Sequence, residues 1–112
     1  MLSLKQCKHD PVIQLPAMFF YIYILESAKD GKRYIGYTNN LRRRIEEHRD
    51  GKSFTTKFMR PFTLIYFEGC VDEADAKRRE YYLKTTQGRR FIGLRLLEYV
   101  RRTKNRRLAS GS

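Results

Sequence analysis

At 112 residues the chain has room for one domain and one modest core. Its 41% apolar and 13% aromatic content exclude a mostly disordered polymer. A formal net charge of +12, from 24 basic against 12 acidic residues, exceeds what solubility needs and points to a polyanionic partner, above all nucleic acid.

Residues 1–17 show no clear period and contain Pro11 and Pro16, so they read as an N-terminal extension ahead of a domain at 18–104. The longest apolar run, Pro16 to Leu25, is far short of a membrane span, and no signal-peptide pattern precedes it. A reduced, cytoplasmic protein is the expectation. Two cysteines, Cys7 and Cys70, are too few for a disulfide framework, and a Cys7/His9 pair lacks the further ligands a zinc site needs.

The aromatic and β-branched run over residues 19–25 predicts a buried central strand. Asp30-Gly31 supplies the turn of a hairpin, and residues 32–37 return as its second strand. Thr38-Asn39-Asn40 offers N-caps to a helix over residues 41–50 closed by Gly51. A basic loop, 51–61, leads to a third strand over 63–68. Asp72 caps a second helix to about Lys84, with Asp75 spaced as in a capping box. Gly88 reads as a breaker. Residues 89–104 then form a third helix, with Phe91, Leu94, Leu97 and Val100 at helical spacing, and 105–112 form a flexible tail. The order β-β-α-β-α-α implies an α+β fold: a small three-stranded, antiparallel-type sheet flanked by helices.

Three features stand out. Arg44 and His48, four residues apart, lean beside the Leu41/Ile45 stripe of the first helix, either as a snorkelling arginine and satisfied histidine or as site residues. Glu80 shares the apolar face of its helix with Ala76 and Leu83, so it should meet a cation: Arg44 as an ion pair, or a divalent metal. Tyr21 and Tyr23 share one strand face with Tyr34 on the partner strand, an arrangement that core packing alone could explain.

Taken in order, Tyr21-Ile22-Tyr23, then Tyr34-Ile35-Gly36-x-Thr38-x-Asn40-Leu41-x-x-Arg44-x-x-x-His48, then Arg79-Glu80-x-x-x-Lys84, the chain resembles the GIY-YIG nuclease family over residues 18–97. It is similar to the small stand-alone members and, in its core, to the nuclease domain of the bacterial excision-repair incision protein. The stretches Arg60–Tyr66 and Gly88–Phe91 share that likeness. The resemblance implies a metal-dependent endonuclease with catalytic residues Tyr23, Tyr34, Arg44, His48 and Glu80, the last holding one magnesium or manganese ion. It also implies products with 5′-phosphate and 3′-hydroxyl ends.

Within that frame Tyr23 is the candidate proton acceptor, provided a cation lowers its pKa. Arg44 would neutralise phosphoryl oxygens, and Tyr34 and His48 would assist. Departures are Tyr21 in place of the first glycine, Tyr37 where several members carry lysine, and no clear match for a polar residue beyond the glutamate, for which Thr86 or Gln87 could substitute.

Residues 77–107 hold twelve basic side chains against Glu80 and Glu98. Lys57, Arg60, Arg79, Lys84, Arg89 and Arg90 are the expected nucleic-acid contacts, positioning the backbone without reading bases. The expected substrate is DNA ahead of RNA, recognised by structure or lesion rather than by sequence. The alternative is a non-catalytic basic nucleic-acid-binding module that kept the fold.

Overall fold

The computed structural model describes residues 13–110. The alternating run that begins at Phe20 forms β1 (Phe20–Ser27), and β2 (Arg33–Thr38) folds back on it, as the Asp-Gly turn requires. Gly31 sits at φ +74°, a conformation that costs glycine little, and Asp30 accepts from the Lys32 amide at 3.0 Å. The third strand, β3 (Phe62–Cys70), pairs antiparallel with the other side of β1. The sheet order is β2-β1-β3, so β1 is central as its composition predicts. A register shift opposite Ile24 and Leu25 lets Ile65 and Tyr66, consecutive in β3, both pack on the core.

Helix α1 (Leu41–Arg49) starts where Asn40 accepts from the Arg43 amide, and α2 (Glu73–Leu83) starts where Asp72 accepts from the Ala74 amide. The expected capping box is half formed: Asp75 pairs with Arg78.

Gly88 does not break the chain. It lies buried inside α3 (Thr86–Arg95), whose N-cap is Thr85. A Cβ there would stand 2.1 Å from the Tyr82 carbonyl oxygen and 2.5 Å from Leu83 Cα, so glycine permits the close approach of α3 to the end of α2. The single helix expected over 89–104 is therefore two, with Leu96 capping α3 and α4 (Leu97–Ser110) following. Leu94 and Leu97, expected in an apolar stripe, are exposed. Helix α4 also runs past the expected start of the tail.

The core is the β1 face that carries Ile22 and Ile24, closed by Ala76, Leu83 and Ile92 from α2 and α3. α4 is tied to the same sheet where Tyr99 donates to Glu26, a carboxylate also held by Arg33 at 3.1 Å. Among the described residues no helix is long and apolar enough to cross a membrane. The Cys7/His9 pair lies outside the described residues.

Candidate active site

Strand alternation sends Tyr23 to the face opposite Ile22 and Ile24, beneath α1. Its side chain is fully buried, and its ring lies across Gly36 on the neighbouring strand. A Cβ at Gly36 would stand 2.4 Å from the phenol, so the glycine of the second triplet makes room for the tyrosine of the first.

The Tyr23 hydroxyl is 2.7 Å from His48 Nε2, and His48 Nδ1 is 2.7 Å from Thr56 Oγ1. All three residues are buried. Burial, then the positive field of Arg44, pushes the His48 pKa down to about 4, so the ring is neutral near pH 7. A neutral imidazole that accepts the Tyr23 proton's hydrogen bond at Nε2 donates from Nδ1 to Thr56. Every member of this chain then has a partner, and no buried side-chain polar atom is left unpaired among the described residues.

Burial also pushes the Tyr23 phenol up to about 12, despite the nearby Arg44 guanidinium. The cation that was expected to lower this pKa is present, but desolvation outweighs it. Tyr23, the sequence-based candidate for taking a proton from water, is thus a neutral donor locked onto His48.

Tyr34 is the more accessible phenol. Its ring packs against Tyr23 and His48, at centroid distances of 6.2 and 5.3 Å, and the residue is half-buried. Arg44 interacts electrostatically with both tyrosines and pairs with Glu47 at 3.0 Å. Burial works against the Arg44 charge, but Glu47 and the tyrosines outweigh it and its pKa is raised. The four residues Tyr23, Tyr34, Arg44 and His48 therefore lie in one cluster.

Glu80 is not among the contacts of that cluster. It is half-buried, as its helical position predicts, and pairs with Lys84 at 3.4 Å rather than with Arg44. Lys84 in turn lines a cleft of about 590 Å³ together with Tyr34, Arg33 and Arg89. Tyr34 is the residue common to the buried cluster and this cationic cleft. No group of three or more His, Cys, Asp or Glu side chains is gathered for a metal among the described residues.

Of the expected nucleic-acid contacts, Lys84, Arg89 and Arg90 are exposed, Lys84 with its ammonium on Glu80. Arg79 is not so placed. It forms a bidentate pair with Glu68, 2.9 and 3.0 Å, and its guanidinium stacks 4.4 Å from the Phe91 ring. Arg60 donates to the carbonyls of Lys57 and Arg49 at 3.0 and 3.1 Å, clamping the loop after α1. Both are committed to protein groups, which charge counting along a sequence does not reveal. Thr56 was not singled out by the sequence, because a threonine in a basic loop carries no periodic signal. Tyr37, at the position where several members carry lysine, donates to Glu73 at 2.6 Å, with Lys77 over its ring. Thr86 and Gln87 are exposed in the first turn of α3.

The GIY-YIG catalytic-domain family matches residues 19–92. A UPF0213 protein of Desulfotalea psychrophila is 40% identical over 80 residues, 70% of either chain. A UPF0213 protein of Oceanobacillus iheyensis is 38% identical over 70% of this chain and 90% of its own. The solution structure of the UPF0213 protein BH0048 of Bacillus halodurans is 36% identical, covering 67% of this chain and 82% of that one, with a TM-score of 0.43. The chain belongs to the GIY-YIG catalytic-domain family, a family of nucleases acting on nucleic acid.

Proposed function

We propose that this protein is a divalent-metal-dependent endonuclease that hydrolyses phosphodiester bonds, in DNA ahead of RNA, at sites marked by structure or lesion rather than sequence. The observation that supports it most is the buried Tyr23–His48–Thr56 hydrogen-bond chain, with Arg44 and the half-exposed Tyr34 at its mouth. Apolar side chains of similar volume would serve stability at least as well there, because even a fully paired buried hydrogen bond contributes only modest net free energy.

In this reading Tyr34 takes the proton from the attacking water. It is the phenol with access to solvent, and the Arg44 guanidinium lies near it. Tyr23 fixes the ring of Tyr34 and the position of His48 without changing protonation state. Arg44, charged at all relevant pH values, neutralises the non-bridging phosphoryl oxygens. Lys84, Arg89 and Arg90 hold the flanking phosphates.

One carboxylate suits magnesium or manganese, hard cations that keep several waters and take substrate phosphate oxygens as further ligands. Glu80 offers such a carboxylate, half-buried and held by a single long contact to Lys84 that a stronger cation can displace. When bound, the ion would supply positive charge beside the leaving 3′-oxygen.

The test is Glu80→Ala. Its partner Lys84 lies at the surface, so stability should change by no more than about 1 kcal/mol. Cleavage with magnesium or manganese should fall by about 100- to 1,000-fold, while binding to nucleic acid is retained. A variant that cuts like wild type would remove Glu80 from the site. Wild-type protein that binds a panel of flapped, nicked, branched and single-stranded DNA and RNA, yet cuts none with either metal, would leave a non-catalytic binding module.

A further inference from the structure

The loop between α1 and β3 carries chemistry that the tyrosine cluster does not use. Phe54 and Phe58 are 81% and 75% exposed, and the Lys57 ammonium lies between them, 5.0 and 4.9 Å from the two ring centroids. Two bare phenyl rings on a strongly basic surface gain nothing from folding, since their apolar area stays in water.

The loop is rigidly mounted. Thr56, between the two rings in sequence, is fully buried with its hydroxyl 2.7 Å from His48 Nδ1. The Arg60 guanidinium ties the Lys57 carbonyl to the end of α1. Gly51, at φ +75°, leaves the space for that guanidinium, which would lie 2.8 Å from a Cβ. The rings therefore stand at a fixed offset from the imidazole of the candidate active site.

Lys57 also lines a cleft of about 540 Å³, where Lys29, Arg49, Arg60 and His48 border an apolar floor that includes Ile45, Phe62 and Leu64, with no carboxylate in the lining. Aromatic faces beside a cationic groove are what single-stranded nucleic acid uses: bases stack on the rings while the cations follow the phosphates. Continuous duplex keeps its base faces hidden, and its phosphates need no aromatic partner.

We propose that Phe54, Lys57 and Phe58 form a stacking platform for unpaired nucleotides beside the bond to be cut. The preferred substrate is then nucleic acid with a single-stranded segment, such as a flap, gap or loop, rather than continuous duplex. The cleavage part rests on the nuclease reading; the binding part does not. A protein partner could also cover exposed phenyl rings, but of the four cations in the cleft only Arg49 has a carboxylate partner among the described residues, Asp50, and the positive excess favours a polyanion.

The experiment measures binding of the whole chain, in chelator, to labelled single-stranded DNA, single-stranded RNA, perfect duplex and a flapped duplex. Phe54→Ala and Phe58→Ala should each weaken single-strand and flap binding by about tenfold and leave duplex binding unchanged. Phe54→Leu and Phe58→Leu, which keep the apolar bulk, should show the same loss if ring stacking is the cause, and equal Tm values confirm that each variant is folded. The chain has no tryptophan, so Phe58→Trp gives a sole reporter whose emission single strands should quench and duplex should not. The DNA and RNA arms decide which polymer is preferred.

Ring variants that bind every substrate like wild type, or that weaken duplex and single strand equally, overturn the platform. So does a wild type without single-strand preference whose rings bind a protein instead. If the platform holds but no substrate is cut with magnesium or manganese, the nuclease reading alone fails. If duplex and flap are cut alike by wild type and ring variants, the platform alone fails.

Discussion

The two faces of β1 come from one alternating string and hold opposite chemistry. Ile22 and Ile24 meet Ala76, Leu83 and Ile92, with no buried polar side chain in the cluster. One residue out of phase, Tyr23 bonds to His48, whose other ring nitrogen bonds to Thr56, and all three are buried. The first face gains stability from apolar area removed from water; the second holds polar groups that stay buried only because each has a partner. Because side chains alternate with a period of two, a one-residue slip in register would exchange the two faces. Stability and site geometry are thus set by the same pairing, but they can be damaged separately.

The largest separation should come from comparing Leu83→Ala with Tyr23→Phe. Leu83 is fully buried on the helix-covered face, so truncation should cost about 2–5 kcal/mol in urea unfolding. Leu83 also lines the cleft that holds Tyr34, Lys84 and Arg89, so cleavage per folded molecule should fall, but by less than in Tyr23→Phe. Tyr23→Phe removes one hydroxyl and leaves His48 without its partner, at a cost of about 1–3 kcal/mol. Its cleavage rate should fall at temperatures where the protein is fully folded. An equal loss of cutting by folded Leu83→Ala would show that the two faces are not independent.

A pH titration sharpens the same contrast, because the helix-covered cluster contains nothing that ionises. His48 has its folded pKa depressed to about 4 against about 6.5 unfolded, so the unfolded chain binds the extra proton between those values. Its contribution is therefore fully present above pH 6.5 and is lost as pH falls towards 4, by roughly 3 kcal/mol in all. His48→Gln should remove most of this slope between pH 6.5 and 4.5, before the carboxylates titrate. Equal slopes for variant and wild type would mean that the imidazole is not held neutral.

The contrast between faces was legible in the sequence, since alternation along 19–25 places the tyrosines and isoleucines on opposite sides. The hairpin, the central place of β1, and the caps at Asn40 and Asp72 were legible too, because each depends on local turn or capping chemistry. The Arg44/His48 pair followed from helical spacing. Gly88 was misread because a glycine near a helix end usually terminates it; here its lack of a side chain serves helix packing, a tertiary cause. The division at Leu96 has the same origin, since α3 turns Gly88 and Ile92 inward instead of continuing the Leu94/Leu97 stripe. Within the site, spacing could suggest that Tyr23 and Tyr34 lie together but not which one keeps access to water. That depends on burial, and Thr56 enters only through the path of a loop.

The smallest effect distinguishes charges that the fold has used from those it leaves for a ligand. Arg79 and Arg89 look alike in a sequence count, yet Arg79 grips Glu68 with two nitrogens while Arg89 is exposed on the cleft shared with Tyr34. Each phosphate neutralised adds close to one to the slope of log affinity against log salt. Arg89→Ala should therefore lower the magnitude of that slope by about one and weaken binding to all sequences alike, because a phosphate contact carries no sequence information. Arg79→Ala should leave the slope unchanged and lower Tm instead, since Glu68 keeps the Tyr66 hydroxyl but loses its bidentate partner. Equal slope changes for the two variants would show that Arg79 leaves Glu68 to meet the nucleic acid, and the helix-covered side of the sheet would then belong to the binding surface as well.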